Sequence, residues 1–267
     1  ATERELNDLR HQYLERVQGL GLMVIFNTTV HRGNYTELPE LIGFFKDHAD
    51  QIGLASFNLQ ADTGRSEWGS RDIEVSKDSV RRQIEAAAGK ALPWDAVRVG
   101  HNRCHDYLPT LVTNGNIHAA IDDPDDCAKL LAAMPSLGSD RHLSRRQLIF
   151  KYASAFMCRP PSWWPALRYL ARMARKLGGD VLRSRGELQL LTFFIQNFMD
   201  ADNLDAERIH ACSFMVMTHA GPVSMCQHNA RRDDYILQPL QVQAGEQVIH
   251  YHPLPKQSAP AAVREAS

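Results

Sequence analysis

The sequence predicts an α/β fold, in which a partial, TIM-like parallel (β/α) barrel is followed by an α+β module that carries cysteines. Helical and strand patterns alternate over residues 1–95 at about the spacing of a β/α barrel. After Pro93 this alternation stops and a stretch rich in Cys and His begins, so residues 96–252 are assigned to the second module. Residues 253–267, rich in Pro, Ala and Ser, are expected to form a disordered tail.

The first module begins with an amphipathic helix. Thr2 and Glu5 form a capping box, and apolar residues recur at helical spacing until Gly19. The elements expected after it are a buried strand at Leu22–Phe26, a helix capped by Thr36, a strand at Leu54–Gln60 and a helix from Ser76 to Leu92. This alternation is typical of a parallel β/α sheet.

Two hairpins are predicted in the second module. The first spans residues 108–118 and turns at Asn114-Gly115. The second turns at residues 219–222, just before Cys226. Both turns are flanked by apolar segments of strand length.

Helices are predicted between the two hairpins. The acidic segment 122–126 is expected to start one helix, and three more are expected from residue 144 to residue 199. These three helices are indicated by the capping residues Ser144 and Ser162, the pair Gly178-Gly179 and the apolar row of Leu188, Leu191, Phe194, Ile195 and Phe198.

Composition excludes several classes of protein. The chain has 30 Lys and Arg against 31 Asp and Glu, and this balance argues against a nucleic-acid binder. No run of 18 apolar residues occurs and residues 1–20 lack an apolar secretory core, so neither a membrane partner nor a signal peptide is expected. Five scattered cysteines are an odd number, which favours reduced thiols or metal ligands in a cytoplasmic protein. Motifs of hydrolases and nucleoside triphosphatases do not occur.

Polar loops follow the first two predicted strands, at residues 27–34 and 60–65. Parallel α/β proteins bind ligands at this end of their strands. Loops after strands are polar in many proteins, so an ordinary surface loop is an equal alternative.

Cysteine and histidine provide candidate ligands for a metal ion or an iron–sulfur cluster. These candidates are His101, Cys104, Cys212 and Cys226. Thiolates are soft ligands that suit iron–sulfur clusters or zinc, and an imidazole can complete the set. Because only the first two are close in sequence, simple burial of the thiols is the alternative. Cys127 and Cys158 lie in or beside helical patterns and are predicted to be packing residues.

Residues 141–185 form a basic stretch. It holds 11 Lys or Arg against the single acid Asp180, with Trp163, Trp164 and Tyr169 interleaved. Such a stretch can bind a phosphorylated small molecule or nucleic acid, and the small molecule is favoured here. The alternative is a set of solvated helix faces whose charge is balanced by acids elsewhere.

Two groups of motifs resemble the radical S-adenosylmethionine superfamily. Residues 22–34, 41–45 and 57–60 are similar to strands five and six of the barrel in molybdenum-cofactor-synthase-like members. The later motifs resemble the C-terminal region of enzymes similar to the methanopterin-type pterin methylase. They are Asn197-Phe-Met-Asp200, Asp205-x-x-Arg208, Cys212, Gly221-Pro-Val-Ser-Met-Cys226 and His228-Asn229. The resemblance covers most of residues 1–240, and the motif groups occur in the family's order.

The family's C-x-x-x-C-x-x-C loop and its Gly-Gly-Glu strand motif do not occur in this sequence. Either the chain is the C-terminal part of a longer enzyme, or it is a degenerate member that forms no radical. A chain that begins at Ala1, directly in a helix, favours the first alternative.

The resemblance implies an enzyme in which a 4Fe–4S cluster, bound outside this chain, splits S-adenosylmethionine to generate a deoxyadenosyl radical. The substrate would be a small biosynthetic molecule, such as a pterin-like methyl acceptor, and electrons would come from a donor protein. Such an enzyme is an oxidoreductase or methyltransferase, and this chain by itself would be inactive. Asn27, Thr29 and Gln60 would face S-adenosylmethionine or the substrate.

The four candidate ligands would then hold an auxiliary iron–sulfur cluster behind the barrel.

A second hypothesis belongs to a different class of function: the chain is a non-catalytic, metal-binding interaction module. In that case the basic helices would dock an anionic partner.

Overall fold

The computed structural model describes residues 2–64, 75–133, 147, 150, 151, 154, 163–245 and 247–251. They belong to two compact units, one of Ala1–Asp62 and Glu67–Phe198 and the other of Thr63–Ser66 and Met199–Ser267. In chain order, the first unit contains α1 (Glu3–Val17), β1 (Val24–Val30), a 3-10 turn (Tyr35–Glu37), α2 (Leu38–Asp47), β2 (Ile52–Leu59), α3 (Lys77–Ala88), β3 (His105–Thr113), β4 (Asn116–Ala119), α4 (Pro124–Ala133), α5 (Trp163–Arg183) and β5 (Gln189–Asn197).

A five-stranded sheet forms the centre of the first unit, in the order β1-β2-β5-β3-β4. Strands β1, β2 and β5 run parallel, whereas β3 is antiparallel to β5 and β4 is antiparallel to β3. The predicted α/β class is therefore confirmed. Within the described residues β1 and β4 are edge strands, so this sheet is open and does not close into a barrel.

The module boundary predicted at residues 95 and 96 differs from the division in the structure, which falls after Phe198. The reason is strand pairing. Strand β5 pairs with β2 over Leu54–Leu59, and β3 pairs with β5. Residues on both sides of Pro93 therefore build one sheet.

The helix predicted around the row Leu188 to Phe198 is wrong, because this segment forms β5. A central strand that is buried on both faces lacks the alternation of a half-exposed strand, so periodicity cannot distinguish it from a helix. Leu191, Phe193 and Ile195 are fully buried, and Thr192 between them is 5% exposed. Pairing with strands on both sides decides the conformation.

The helix boundary predicted at Gly178-Gly179 is also wrong, because α5 continues through both glycines. Each glycine inside a helix costs about 1 kcal/mol relative to alanine. Contacts on either side offset this cost, since Leu177 is buried and Asp180 accepts hydrogen bonds from two amides of the β3–β4 hairpin. The predicted caps Ser144 and Ser162 lie outside the described residues.

Other local predictions are confirmed. Helix α1 starts at the capping box of Thr2 and Glu5. The helix predicted from Ser76 to Leu92 begins directly after Ser76 but ends at Ala88, because Gly89 adopts the left-handed conformation that closes it. The β3–β4 hairpin turns at Asn114-Gly115, whose φ angles of 51° and 70° are those of a type I′ turn. Thr36 does not cap α2, because it lies inside the 3-10 turn, where the backbone is already helical.

Helices α1, α2 and α3 cover one face of the sheet. On this face the ring of Phe57 lies 6.1 Å from the ring of Phe45 in α2. Leu14 of α1 and Ile84 of α3 belong to the same core. We call this side the core face; its strand residues include Phe26, Phe57, Phe193, Ile195, Leu108 and Asp106.

A buried carboxylate fixes α3 over the start of β3. Asp106 accepts hydrogen bonds from Nε and Nη2 of Arg81 at 2.7 and 2.6 Å, and from Nζ of Lys77 at 2.8 Å. Its side chain is 4% exposed. The hydrogen bond to Asp106 raises the pKa of Arg81 above its ordinary value.

The second unit consists of short elements. They are α6 (Ala206–His210), β6 (Met215–Thr218), β7 (Gly221–Ser224), α7 (Met225–Ala230), α8 (Arg232–Ile236), β8 (Leu240–Ala244) and β9 (Gln247–Tyr251). The β6–β7 hairpin confirms the predicted turn before Cys226, and β8–β9 forms a further hairpin. The tail predicted at 253–267 lies outside the described residues. No helix in the described ranges is long and apolar enough to cross a membrane.

Candidate functional site

The side of the sheet opposite the core face is polar. Side chains of residues paired across strands lie on one face, and successive residues along a strand alternate between faces. Thr29 pairs with Asn58, which is one position away from Phe57 of the core face. We call the opposite side the polar face; it includes Asn27, Thr29, Ser56, Asn58, Thr192, Phe194, Gln196, His105 and Tyr107, and, in the row of Thr192, the apolar Ile25, Leu54 and Pro109.

One row of the polar face lies at the carboxyl ends of the parallel strands. Asn58 pairs with Thr29 on one side and with Gln196 on the other. Gln196 in turn pairs with His105, at the start of antiparallel β3. Four polar side chains therefore lie side by side across β1, β2, β5 and β3.

The polar face is open at β1 and buried at β3. Asn27 and Thr29 are exposed and Asn58 is half-buried. Gln196 and His105 are only 3% and 8% exposed. A small polar molecule on this face can contact β1 and β2, with buried polar groups beside it.

His105 and Gln196 form a hydrogen bond between β3 and β5, with 3.1 Å between Nδ1 and Oε1. Burial is the largest cause that lowers the pKa of His105 below its ordinary value. Hydrogen bonds to Gln196 and to the backbone of Val99 act in the opposite direction. The ring of Phe194 lies 5.8 Å from His105 and 6.1 Å from Tyr107. These contacts hold the buried end of the polar face in place.

Asn34 fixes the carboxyl end of β1. Its side-chain amide donates to the carbonyl oxygen of Thr29 at 2.9 Å, and its Oδ1 accepts the backbone N–H of His31 at 2.9 Å. The same amide donates at 2.8 Å to Glu3 of α1, whose carboxylate pairs with Arg10. This network connects α1 to the loop after β1 and so positions Thr29.

The three predicted binding residues lie at this same edge of the sheet. Asn27 and Thr29 are on the polar face. Gln60 directly follows β2, and its backbone N–H donates to the carbonyl oxygen of Val30 at 2.9 Å. The structure therefore brings together the polar loops after β1 and β2.

The four predicted metal ligands fall into two pairs. His101 and Cys104 share a turn in the first unit, where the N–H of Cys104 donates to the carbonyl oxygen of His101 at 2.9 Å. Cys212 and Cys226 belong to the second unit. There Sγ of Cys226 accepts the N–H of Met199 at 3.4 Å. Cys212 donates from Sγ to the carbonyl oxygen of Phe214 at 3.2 Å.

Each pair supplies two candidate ligands to its own unit. In the part of the chain that the structure describes, no three or more His, Cys, Asp or Glu residues form a group that could hold a metal ion. Cys104 and Cys226 are buried, and Cys226 already accepts a backbone N–H. The side chain of Cys127 and the whole of Cys158 lie outside the described residues.

The auxiliary cluster stays a prediction, and measuring the iron bound per chain tests it. If the four ligands act together, Cys104→Ala and Cys226→Ala each lower the iron bound per chain after anaerobic reconstitution, because each removes a thiolate ligand. Cys158→Ala is the control and leaves the iron content unchanged. Equal iron and equal visible absorption in all the proteins would assign Cys104 and Cys226 to packing.

Acids outside the basic stretch neutralise part of it. Arg172 pairs with Asp126 and, at 3.1 Å, with Asp122. Nζ of Lys176 lies 3.2 Å from Asp122. These pairs favour balanced helix faces over a phosphate-binding surface along this part of α5.

Comparison with known proteins does not assign a function to the polar face. Neither the models of known protein families nor the curated proteins match this chain. The functional proposal therefore depends on the geometry of the polar face and on the motifs described in the sequence.

Sequence reasoning missed several residues of the polar face. Ser56 and Asn58 alternate with apolar residues inside the predicted strand at 54–60, and this alternation was the signal that could have found them. Gln196 and His105 had no such signal, because the segment of Gln196 was predicted to be helical. Their proximity depends on the pairing of β3 with β5.

Proposed function

We propose that the polar face binds S-adenosylmethionine or the substrate of a radical enzyme, and that this chain forms the C-terminal part of that enzyme. One observation carries the proposal: a row of amide, hydroxyl and imidazole side chains crosses the carboxyl ends of the parallel strands, while helices cover the other face. In parallel α/β proteins, ligands bind at this end of the strands.

The chemistry of the polar face suits such a molecule. The side-chain amides of Asn27, Asn58 and Gln60 each offer a donor and an acceptor, and the hydroxyl of Thr29 offers both. The amino, carboxylate and ribose hydroxyl groups of S-adenosylmethionine need partners of both kinds. When bound and reduced by a 4Fe–4S cluster held outside this chain, S-adenosylmethionine supplies the radical that removes a hydrogen atom from the substrate.

The residues of this chain would bind and orient. Asn27 and Thr29 are exposed at β1 and would contact the bound molecule directly. Asn34 would hold Thr29 through the hydrogen bond to its carbonyl oxygen. The buried pair of His105 and Gln196 would close the site on the side of β3 and reduce the access of water.

We also propose that the sheet is part of a larger (β/α) barrel. On its outer side β1 pairs with no strand in the described part of the chain. Leu22, Met23 and Ile25, at the start of this edge, are 58%, 40% and 47% exposed. A further parallel strand beside β1 would remove this apolar surface from water.

The alternative function, in which the basic helices dock an anionic partner, has weaker support. Acids of the same chain already pair with Arg172 and Lys176.

Calorimetric titration of the chain with S-adenosylmethionine tests the proposal. Asn27→Leu is expected to weaken binding about tenfold or more, since a hydrogen bond to a charged group contributes about 1.5–3 kcal/mol. Gln12→Leu is the matched control, because it removes an exposed amide from α1, a helix of the core face. Absence of binding at millimolar concentration, or equal weakening by both changes, would contradict the proposal.

A further inference from the structure

Three residues form a hydrogen-bonded chain at the edge of the sheet formed by β4. Nζ of Lys90 lies 3.0 Å from Nδ1 of His118, and Nε2 of His118 lies 3.0 Å from Oδ2 of Asp180. Lys90 follows α3, His118 belongs to β4 and Asp180 belongs to α5. We call these three residues the amine cluster; the polar face does not include them.

The backbone on both sides of Lys90 is fixed. Gly89 ends α3 in the left-handed conformation with a φ of 65°, and the N–H of Lys90 donates to the carbonyl oxygen of Glu85 at 3.2 Å. The carboxylate of Glu85 accepts the N–H of Leu92 and the indole N–H of Trp94, each at 3.0 Å. The base of the lysine side chain therefore has a defined position beside β4.

The hydrogen bonds define which nitrogen of His118 carries the proton. Asp180 accepts two amide hydrogen bonds, from Asn114 at 3.2 Å and Asn116 at 3.1 Å. The bond from Asn114 is the largest cause that lowers the pKa of Asp180, which is therefore a carboxylate. Such a carboxylate holds the proton of His118 on Nε2. Nδ1 then carries a lone pair that faces Lys90.

Burial and a neighbouring cation both act on the amine of Lys90. Burial lowers the pKa of Lys90 below its ordinary value, the ammonium of Lys176 lowers it further, and Asp180 acts in the opposite direction. Burial likewise lowers the pKa of His118, followed by the charge of Lys90. Within the described residues, the side chain that contacts Nζ of Lys90 is an imidazole, whereas Lys176 contacts the carboxylate of Asp122.

We propose that Lys90 is a nucleophilic amine that forms an imine with a small aldehyde, while His118 transfers the proton and Asp180 stabilises the imidazolium. The ammonium of Lys90 gives one proton to Nδ1 of His118, and the nitrogen lone pair forms a bond to the carbonyl carbon. A second proton moves from nitrogen to the former carbonyl oxygen. His118 then returns its proton to this hydroxyl group, which leaves as water, and a protonated imine remains.

A purely structural role for the amine cluster would need a charged Lys90, because lysine usually stabilises proteins as the charged partner of a carboxylate. The reactive role needs a free amine and access from solvent. The condition of access from solvent is met, because Lys90 is exposed. Its amine contacts His118, which is buried. A labelling rate distinguishes these roles, since an ammonium does not attack a carbonyl carbon.

Reductive trapping of the full chain with glycolaldehyde and cyanoborohydride at pH 7 tests the proposal. Peptide mass spectrometry measures the rate of labelling at each lysine. Lys90 is expected to react more than about tenfold faster than Lys46, because His118 accepts a proton from its amine and general acid–base catalysis contributes about 100-fold or more. Lys46 is the internal control, since its Nζ lies 3.9 Å from the carboxylate of Asp47. Equal rates at the two lysines would overturn the proposal.

A variant and a pH series complete the test. His118→Gln keeps a polar side chain but cannot accept the proton, so the rate at Lys90 is expected to fall to that at Lys46, while the rate at Lys46 stays unchanged. A folded variant, verified by circular dichroism, with an unchanged rate at Lys90 would overturn the proposal. If the variant does not fold, the pH profile of the wild-type protein decides. Because burial lowers the pKa of Lys90, its rate must reach half of the maximum at a lower pH than the rate of free N-acetyl-lysine amide measured in the same way, and coincident profiles would overturn the proposal.

Discussion

Replacing Asp106 by Ala is expected to lower the free energy of unfolding by about 3–5 kcal/mol. The carboxylate accepts hydrogen bonds from both Lys77 and Arg81, and its side chain is 4% exposed. Its removal leaves two cations of α3 beside the core face without this partner. Urea unfolding followed by circular dichroism measures the change.

Asp78→Ala is the matched control for this prediction. Asp78 also pairs with Arg81, at 3.2 Å, but its side chain is 72% exposed. Exposed ion pairs contribute at most about 1 kcal/mol, so this change is expected to be small. Equal losses in the two variants would contradict the assignment of Asp106 as the carboxylate that fixes α3 to β3.

Replacing Phe193 by Ala is expected to cost about 3–5 kcal/mol of unfolding free energy, as is typical of a buried aromatic residue. Phe193 is fully buried on the core face, in the central strand β5. Its pairs are Ala55 of β2 and Leu108 of β3. The change therefore leaves a cavity at the middle of the sheet.

Phe194→Ala tests the assignment of faces, because the neighbouring ring lies on the polar face and is half-buried. Its loss is expected to cost less than about 2 kcal/mol. Thermal or urea unfolding of both variants gives the comparison. If Phe194→Ala destabilises the protein as much as Phe193→Ala, then both faces of β5 are equally important to the core, and the assignment of Phe194 to a less buried face is wrong.

Local sequence signals predicted much of the first half of the fold. The capping box at Thr2 locates α1, because a side-chain oxygen there satisfies N–H groups that lack partners within the helix. Apolar runs located β1 and β2, although β1 continues to Val30, four residues beyond its predicted end. Polar Asn27 and Thr29 belong to the strand because every second side chain lies on the polar face.

The candidate site was predicted in part. Asn27, Thr29 and Gln60 were named from the family resemblance, by their positions at the ends of the first two predicted strands, and the structure places them at one edge of the sheet. Gln196 and His105 could not be found in this way, since they are 91 residues apart and meet through the pairing of β5 with β3. No local pattern encodes that pairing.

The sequence by itself determined the α/β class, the first two strands, the hairpin at Asn114-Gly115 and the polar edge after β1 and β2. These features depend on contacts between residues close in the chain, such as caps, turns and alternation along a strand. The tertiary structure decided that Gln189–Asn197 is a strand and that it lies between β2 and β3. A segment buried on both faces has no periodicity of its own, so its conformation is decided by the strands that supply its hydrogen bonds.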